Sequence, residues 1–256
     1  MPARPLGEFV DALASGAVEV VDLTQPLSER TPVLRLPEPF ANTPGLTRHE
    51  ISHYDERGPA WLWYWLEIGE HVGTHLDVPI HWASGREGED LGSVPMRRLV
   101  APAVVIDKSA EAAEDPDYCL TVDDVRAFET EHGPLPEGGW LLLRTGWDGR
   151  ADDQETFLNG GHTPGFTASC ARWLADEAPI VRVGVETVGT DAGAAHGFDP
   201  PFPLHSNVLG AGKYGLTQLA NLASLPPAGT LLLVAPLRLV GGTGSPARAV
   251  AFVPRG

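Results

Sequence analysis

The sequence predicts an α/β fold, and three observations carry that expectation. Short apolar runs recur along the chain, at 102–106 (PAVVI), 139–144 (GWLLLR), 180–185 (IVRVGV) and 230–235 (TLLLVA), and they read as buried strands. Helical segments alternate with them, and the strand–helix–strand order from 139 to 185 is the unit from which parallel sheets are built. Gly and Pro number 29 and 24, so elements are short and the chain turns often.

Taken in order, a helix is expected at 5–16 (PLGEFVDALASG) and a buried strand at 19–23 (EVVDL). The segment 24–60, rich in Pro and polar residues, resists assignment. Trp61, Trp63 and Trp65 then alternate with Leu62, Tyr64 and Leu66. Every position is apolar, so this strand is expected to be buried on both faces. It also leads directly to His71, so its functional reading is an aromatic wall suited to an aromatic substrate, to which Trp82 and Phe202 can add. A helix at 121–132 opens with Thr121 as N-cap, with Asp123 and Asp124 at the positive end of the helix dipole. Another, at 167–177 (TASCARWLADE), follows the turn Thr163-Pro164-Gly165. The stretch 186–214, with Gly, Pro and His, is a long irregular loop, and such loops tend to carry function. A last strand is expected at 247–253 (ARAVAFV). There is no repeat, low-complexity tract or linker, so residues 1–256 are expected to form a single domain.

Composition narrows the function. A net charge of −16 argues against nucleic acid, which wants a basic surface. Two cysteines in unrelated contexts are no disulfide framework and suit a reducing cytoplasm. The N-terminus carries acids and lacks the apolar core of a signal peptide. The run TLLLVAPLRLV is too short to span a bilayer. The reading is a soluble cytoplasmic protein acting on a small molecule.

The segment HVGTHLDVPIH, His71 to His81, holds three of the nine histidines. His71, His75, Asp77 and His81 fall on odd positions, and Val72, Leu76, Val78 and Ile80 on even ones. That is the alternation of an extended chain with one face buried. A straight strand would hold side chains at i and i+4 roughly 13 Å apart, too far for ligands of one ion at ~2 Å. The chain must therefore bend, and Gly73 permits it. Pro79 ends ladder pairing and sets the path to His81. Imidazole plus carboxylate suits zinc, manganese or iron(II), and two histidines with one aspartate leave positions open for water and substrate.

HVGTHLDVPIHW resembles the H-x-G-T-H-x-D-x-P-x-H signature of the cyclase-like metal-dependent hydrolases, the family of bacterial kynurenine formamidase and isatin hydrolase. VVDLTQPLSERTPV, LLLRTGW, VGVETVGTDAG, and His205 followed by GLTQLANLASLP resemble further segments of that family, in order along nearly the whole chain. The resemblance implies a swivelling β/β/α domain, a mixed β-sheet core flanked by helices, assembled as a homodimer or homotetramer. It implies a divalent metal, zinc or manganese, held by His71, His75 and Asp77. His81 then resembles the catalytic histidine, and His205 the distal histidine, a second-metal ligand or a catalytic partner. Thr217 stands where the kynurenine formamidase pattern has a metal-bridging glutamate, and Thr217 is a poor ligand. Gln218 beside it can supply an amide oxygen only after a one-residue shift, which turns a strand side chain to the other face; it completes the candidate ligand set. One metal per chain is expected. Glu186 and Gly189 stand where the family has Asp and Ser, which implies a substrate other than that of kynurenine formamidase.

The implied activity is hydrolysis of an amide-type C–N bond, in a linear aryl formamide, a lactam or a cyclic imide, by metal-activated water. Two alternatives keep the same residues: a metal-dependent cyclase or lyase acting on a biosynthetic intermediate, and a non-catalytic metal-binding relative.

Overall fold

One short strand with partners on both sides determines the architecture. The computed structural model describes residues 5–255. Its helices are α1 (Pro5–Ser15), α2 (Ser109–Glu114), α3 (Val122–His132), α4 (Gln154–Leu158) and α5 (Ala168–Asp176). Its strands run β1 (Val18–Asp22), β2 (Thr47–His53), β3 (Leu62–Glu67), β4 (His75–Asp77), β5 (Val100–Asp107), β6 (Cys119–Leu120), β7 (Trp140–Arg144), β8 (Gly165–Phe166), β9 (Arg182–Val185), β10 (Tyr214–Thr217), β11 (Thr230–Pro236) and β12 (Gly244–Pro254). The main sheet runs β1-β12-β11-β5-β7-β9-β10-β4, and β4 pairs again with β12. The sheet is thus curled on itself, with β4 as the seam. Asp77 lies opposite Gly215 on one side and Gly244 on the other; His75 lies opposite Thr217 and Pro246. Within this sheet β5, β7, β9 and β10 pair in parallel and the other pairs are antiparallel.

The period-two alternation of β5 and β7 divides the core in two. Ala103, Val105, Trp140 and Leu142 face the enclosed side with Leu76, Leu216, Leu232 and Ala249. Val104, Ile106, Leu141 and Leu143 face outward, where Val125 and Phe128 of α3 and Cys170 and Leu174 of α5 cover them. α3 starts where the sequence places it: the Thr121 side chain accepts from the Asp124 amide and the Asp124 carboxylate accepts from the Thr121 amide, a capping box. The unit from 139 to 185 forms as expected, with β7 and β9 parallel neighbours and α5 crossing between them. The result is a mixed α/β fold, a sheet core with helices.

Two strand expectations are overturned. β1 is an edge strand, not a buried one, because β12 is its only ladder partner among the described residues and Val20 remains 56% exposed. The tryptophan strand is not core either. Among the described residues β3 pairs only with β2, in a hairpin separate from the main sheet, and Trp61, Trp63 and Trp65 are 48%, 53% and 52% exposed. Its unbroken apolar pattern would suit a strand covered on both faces, but within a single chain neither face is covered. Part of the unassigned segment 24–60 is therefore regular structure, the strand β2.

Candidate active site

The segment from His71 to His81 bends as chelation requires. Gly73 adopts φ +65°, which glycine takes at little cost. β4 follows, and Pro79 opens a single 3₁₀ turn that ends at His81. Val72, Leu76 and Val78 are buried and anchor the segment. His71, Asp77 and His81 each bring a donor atom within 4.8 Å of the other two. The His71 and His81 rings stack with centroids 3.9 Å apart. His75 approaches Asp77 too, with Nε2 3.3 Å from Oδ1.

The hydrogen bonds behind the cluster assign the tautomers. Thr243 donates its hydroxyl proton to Glu70 Oε2 at 2.6 Å, so it accepts from His71 Nε2–H at 2.8 Å. His71 Nδ1 then presents a lone pair, 2.7 Å from Asp77 Oδ1. Likewise His75 Nδ1–H donates to the Gly73 carbonyl at 2.7 Å, which leaves a lone pair on Nε2. Two imidazole lone pairs thus face one carboxylate oxygen. Such an arrangement is repulsive unless a cation, proton or metal, lies among the three atoms. The donor set fits a divalent metal: two neutral imidazoles, one buried carboxylate and ordered hydrogen-bond partners behind both rings. Burial opposes the charge of Asp77, but positive charge placed at His75 and His71 outweighs it and holds the carboxyl well below its ordinary range, which is the same demand for a cation among the three groups.

His81 differs. Burial pushes its pKa down to about 4, and the attraction of Asp77 only partly offsets that, so it is neutral at neutral pH. His205 opposes it across the cluster, ring centroids 5.6 Å apart, with Nε2 3.9 Å from Asp77 Oδ2. Burial lowers the His205 pKa, but the carboxylates of Asp191 and Asp77 outweigh it and raise the value overall. Asp191 holds the ring by accepting from Nδ1–H at 2.5 Å, and also accepts from the amides of Leu204 and His205. Trp82 lies 4.7 Å from the His205 ring, with Phe202 5.7 Å from Trp82, so these two aromatics flank the histidines.

Gln218 is not brought into this group. β10 ends at Thr217, and Gln218 follows it in the left-handed backbone region, so the alternation that would place it does not continue. Thr217 Oγ1 lies 2.9 Å from His75 Nδ1. Gln218 takes φ +52°, donates its amide N–H to the Pro32 carbonyl and lines a cleft with Arg30 and Asp152. Glu186 is also turned to a structural task. Its Oε2 accepts from the Thr145 amide, the Thr145 hydroxyl and the Trp147 amide, which fixes the T-G-W turn. Burial pushes its carboxyl up to about 7.

Sequence reasoning missed Glu70, Thr243 and Asp191. Glu70 is adjacent to His71, but adjacency alone signals nothing. Thr243 is 172 residues from the histidine it orients. Asp191 lay within the family-like loop GTDAG, and a carboxylate fourteen residues before a site histidine was its only signal.

Comparison with known proteins identifies the family. A family model described as "Putative cyclase" matches residues 21–192. The isatin hydrolase of Roseibium aggregatum is 47% identical over 250 residues, 95% of each chain. A kynurenine formamidase of Salinibacter ruber is 30% identical over 191 residues, 72% of this chain and 77% of that one. A crystal structure of an isatin hydrolase bound to the product analogue thioisatinate superposes with a TM-score of 0.95 at 46% identity, covering 98% of both chains. The chain therefore belongs to the putative cyclase family of metal-dependent hydrolases.

Proposed function

We propose that this hydrolase of amide-type C–N bonds opens a five-membered lactam fused to an aromatic ring, the chemistry of isatin. The observation that carries the reading is the pair of imidazole lone pairs facing Asp77, set beside a neutral histidine and the Trp82–Phe202 pair. The likeness to isatin hydrolase over 95% of the chain supports the choice of lactam. His71, His75 and Asp77 would hold one zinc or manganese ion. When bound, it supplies polarisation of the carbonyl and acidification of a water. The side chains do the rest. His81, neutral, accepts the proton of the attacking water and returns it to the departing nitrogen as the ring C–N bond breaks. His205, held by Asp191, keeps its Nε2 toward the site and donates to the developing oxyanion. Trp82 and Phe202 receive the flat ring. The product carries a carboxylate and an aryl amine.

The whole chain acts as one domain of the swivelling β/β/α kind, in the cytoplasm, as a homodimer or homotetramer. No helix among the described residues is long and apolar enough to cross a membrane. The test is turnover of isatin and of an N-formyl arylamine in water labelled with heavy oxygen, with metal content measured on the same sample. One metal equivalent per chain, faster ring opening than deformylation and one labelled oxygen in the carboxylate are expected. Deformylation without ring opening would move the reading to linear formamides. Product without label would overturn hydrolysis.

A further inference from the structure

We propose that the enclosed side of the main sheet holds a buried monovalent anion of the halide class, bound between the side chains of Trp140 and Arg182. The site is separate from the histidine cluster and takes no part in the reaction. Strand register brings its residues together. Trp140 of β7 lies opposite Arg182 of β9, and Arg182 lies opposite Tyr214 of β10. Residues directly opposite one another project to the same face of a sheet, so the three side chains form one row across strands ~4.8 Å apart. The row is buried: Trp140, Tyr214 and Arg182 are 0%, 1% and 3% exposed.

Two donors in this row have no acceptor. Arg182 gives one Nη1–H to the Gly138 carbonyl, and its guanidinium carbon lies 5.5 Å from the centre of the Trp140 ring. Yet the buried Arg182 Nε and Trp140 Nε1 have no hydrogen-bond partner within the protein. Buried donors are seldom left unpaired, because each has given up its water. One acceptor between these neighbouring side chains would serve both.

Charge decides what that acceptor is. Burial lowers the Arg182 pKa to about 10, which still leaves the guanidinium protonated at neutral pH. No carboxylate is among the groups that act on its charge, and the guanidinium that does, Arg98, repels it. Glu89 is already taken: it accepts from Arg98 Nη1 at 2.9 Å and from the Tyr214 hydroxyl. Burial and Glu89 raise the Tyr214 pKa to about 12, so the phenol is neutral. Two guanidiniums against one carboxylate leave one positive charge in the row. A water molecule could accept from both orphan donors, but it would leave that charge uncompensated, which burial makes costly. A carboxylate or bicarbonate would neutralise it but bring further oxygens that each need a donor. A halide supplies one negative charge, accepts from both N–H groups and has no atom left over.

The experiment begins with protein dialysed exhaustively into sodium gluconate, whose large anion does not fit a closed site. Melting temperature is then followed as chloride replaces gluconate at fixed ionic strength, for the wild type, Arg182→Met and Trp140→Phe. Carrying chloride to about tenfold above its dissociation constant should raise the wild-type value by roughly 3–6 °C. Arg182→Met removes the charge and should show no rise; Trp140→Phe removes one donor and should show a smaller one. A wild type indifferent to chloride, or a rise that persists undiminished in Arg182→Met, overturns the proposal. Should a variant fail to fold, wild-type crystals grown in sodium bromide give the answer. An anomalous peak in contact with both Trp140 Nε1 and Arg182 Nε supports the site. Density there without anomalous signal is a water and overturns it. A bromide peak beside a wild-type melting temperature flat in chloride is binding at crystal concentration only, and that too overturns it.

Discussion

Replacing Glu186 by glutamine should remove a pH dependence from the stability of the protein. Glu186 is 1% exposed, and its carboxyl rises from 4.5 to about 7, chiefly through burial and further through the like charge of Asp148. The donated bonds from Thr145 and Trp147 act against this and only partly compensate. The folded state therefore retains a proton that the unfolded chain has already released. The sign follows from linkage: the contribution of this group is fully present below pH 4.5 and is lost as pH rises through about 7. At about 1.4 kcal/mol per pKa unit, the loss across that window is about 3 kcal/mol. Glutamine resembles the protonated acid in shape and can accept the same bonds through its carbonyl oxygen. Any cost of its amide nitrogen is independent of pH. The difference in stability, variant minus wild type, should thus grow by about 3 kcal/mol from acid to mildly alkaline pH. In melting temperature that is roughly 6–12 °C for a chain of this size. Urea unfolding of both proteins across a pH series measures it, since all other titrations cancel in the difference. A difference that stays flat with pH would refute the reasoning and would mean that Glu186 is ionised in the fold.

Three further outcomes follow from the site and its scaffold. His75→Ala should lose bound metal and turnover together, whereas His81→Ala should keep metal and lose turnover by about 10²–10⁴-fold; elemental analysis beside the rate checks both. Metal loss in His81→Ala would instead make His81 a metal ligand, as its position within 4.8 Å of His71 and Asp77 allows. Asp191→Asn should lower kcat by about 10–100-fold with a smaller change in KM, because it loosens a ring that acts on the reacting atoms rather than a substrate contact; steady-state kinetics separate the two. Thr121→Ala removes the side-chain half of the α3 capping box and should cost about 1 kcal/mol, or ~2–4 °C, without altering KM; calorimetry and the same kinetics test that.

How much of this was legible in the sequence depends on the range over which each feature is decided. The cap of α3, the crossing from β7 to β9 and the bend at Gly73 are set by residues near one another, and the chain alone predicts them. The tryptophan strand was misread because an unbroken apolar run suits a strand covered on both faces, whereas β3 lies in a hairpin apart from the main sheet and stays exposed. The partners of the histidines were hidden for a different reason. β4 is the seam of the closed sheet, so its neighbours come from β10 and β12, more than a hundred residues away. Only closure brings Thr217 and Thr243 beside His75 and His71. Closure also bears on how many ions the site can hold. Among His71, His75, Asp77, His81 and Thr217, only Asp77 carries negative charge at neutral pH, while the charge of Asp191 is already engaged by His205. Where a bridging glutamate would contribute a second charge, Thr217 brings a neutral hydroxyl against the His75 ring. One dication already exceeds the charge of that set, and a second in the same buried space would stand uncompensated at a cost of several kcal/mol. The threonine that breaks the family pattern is thus the residue that argues for a single ion.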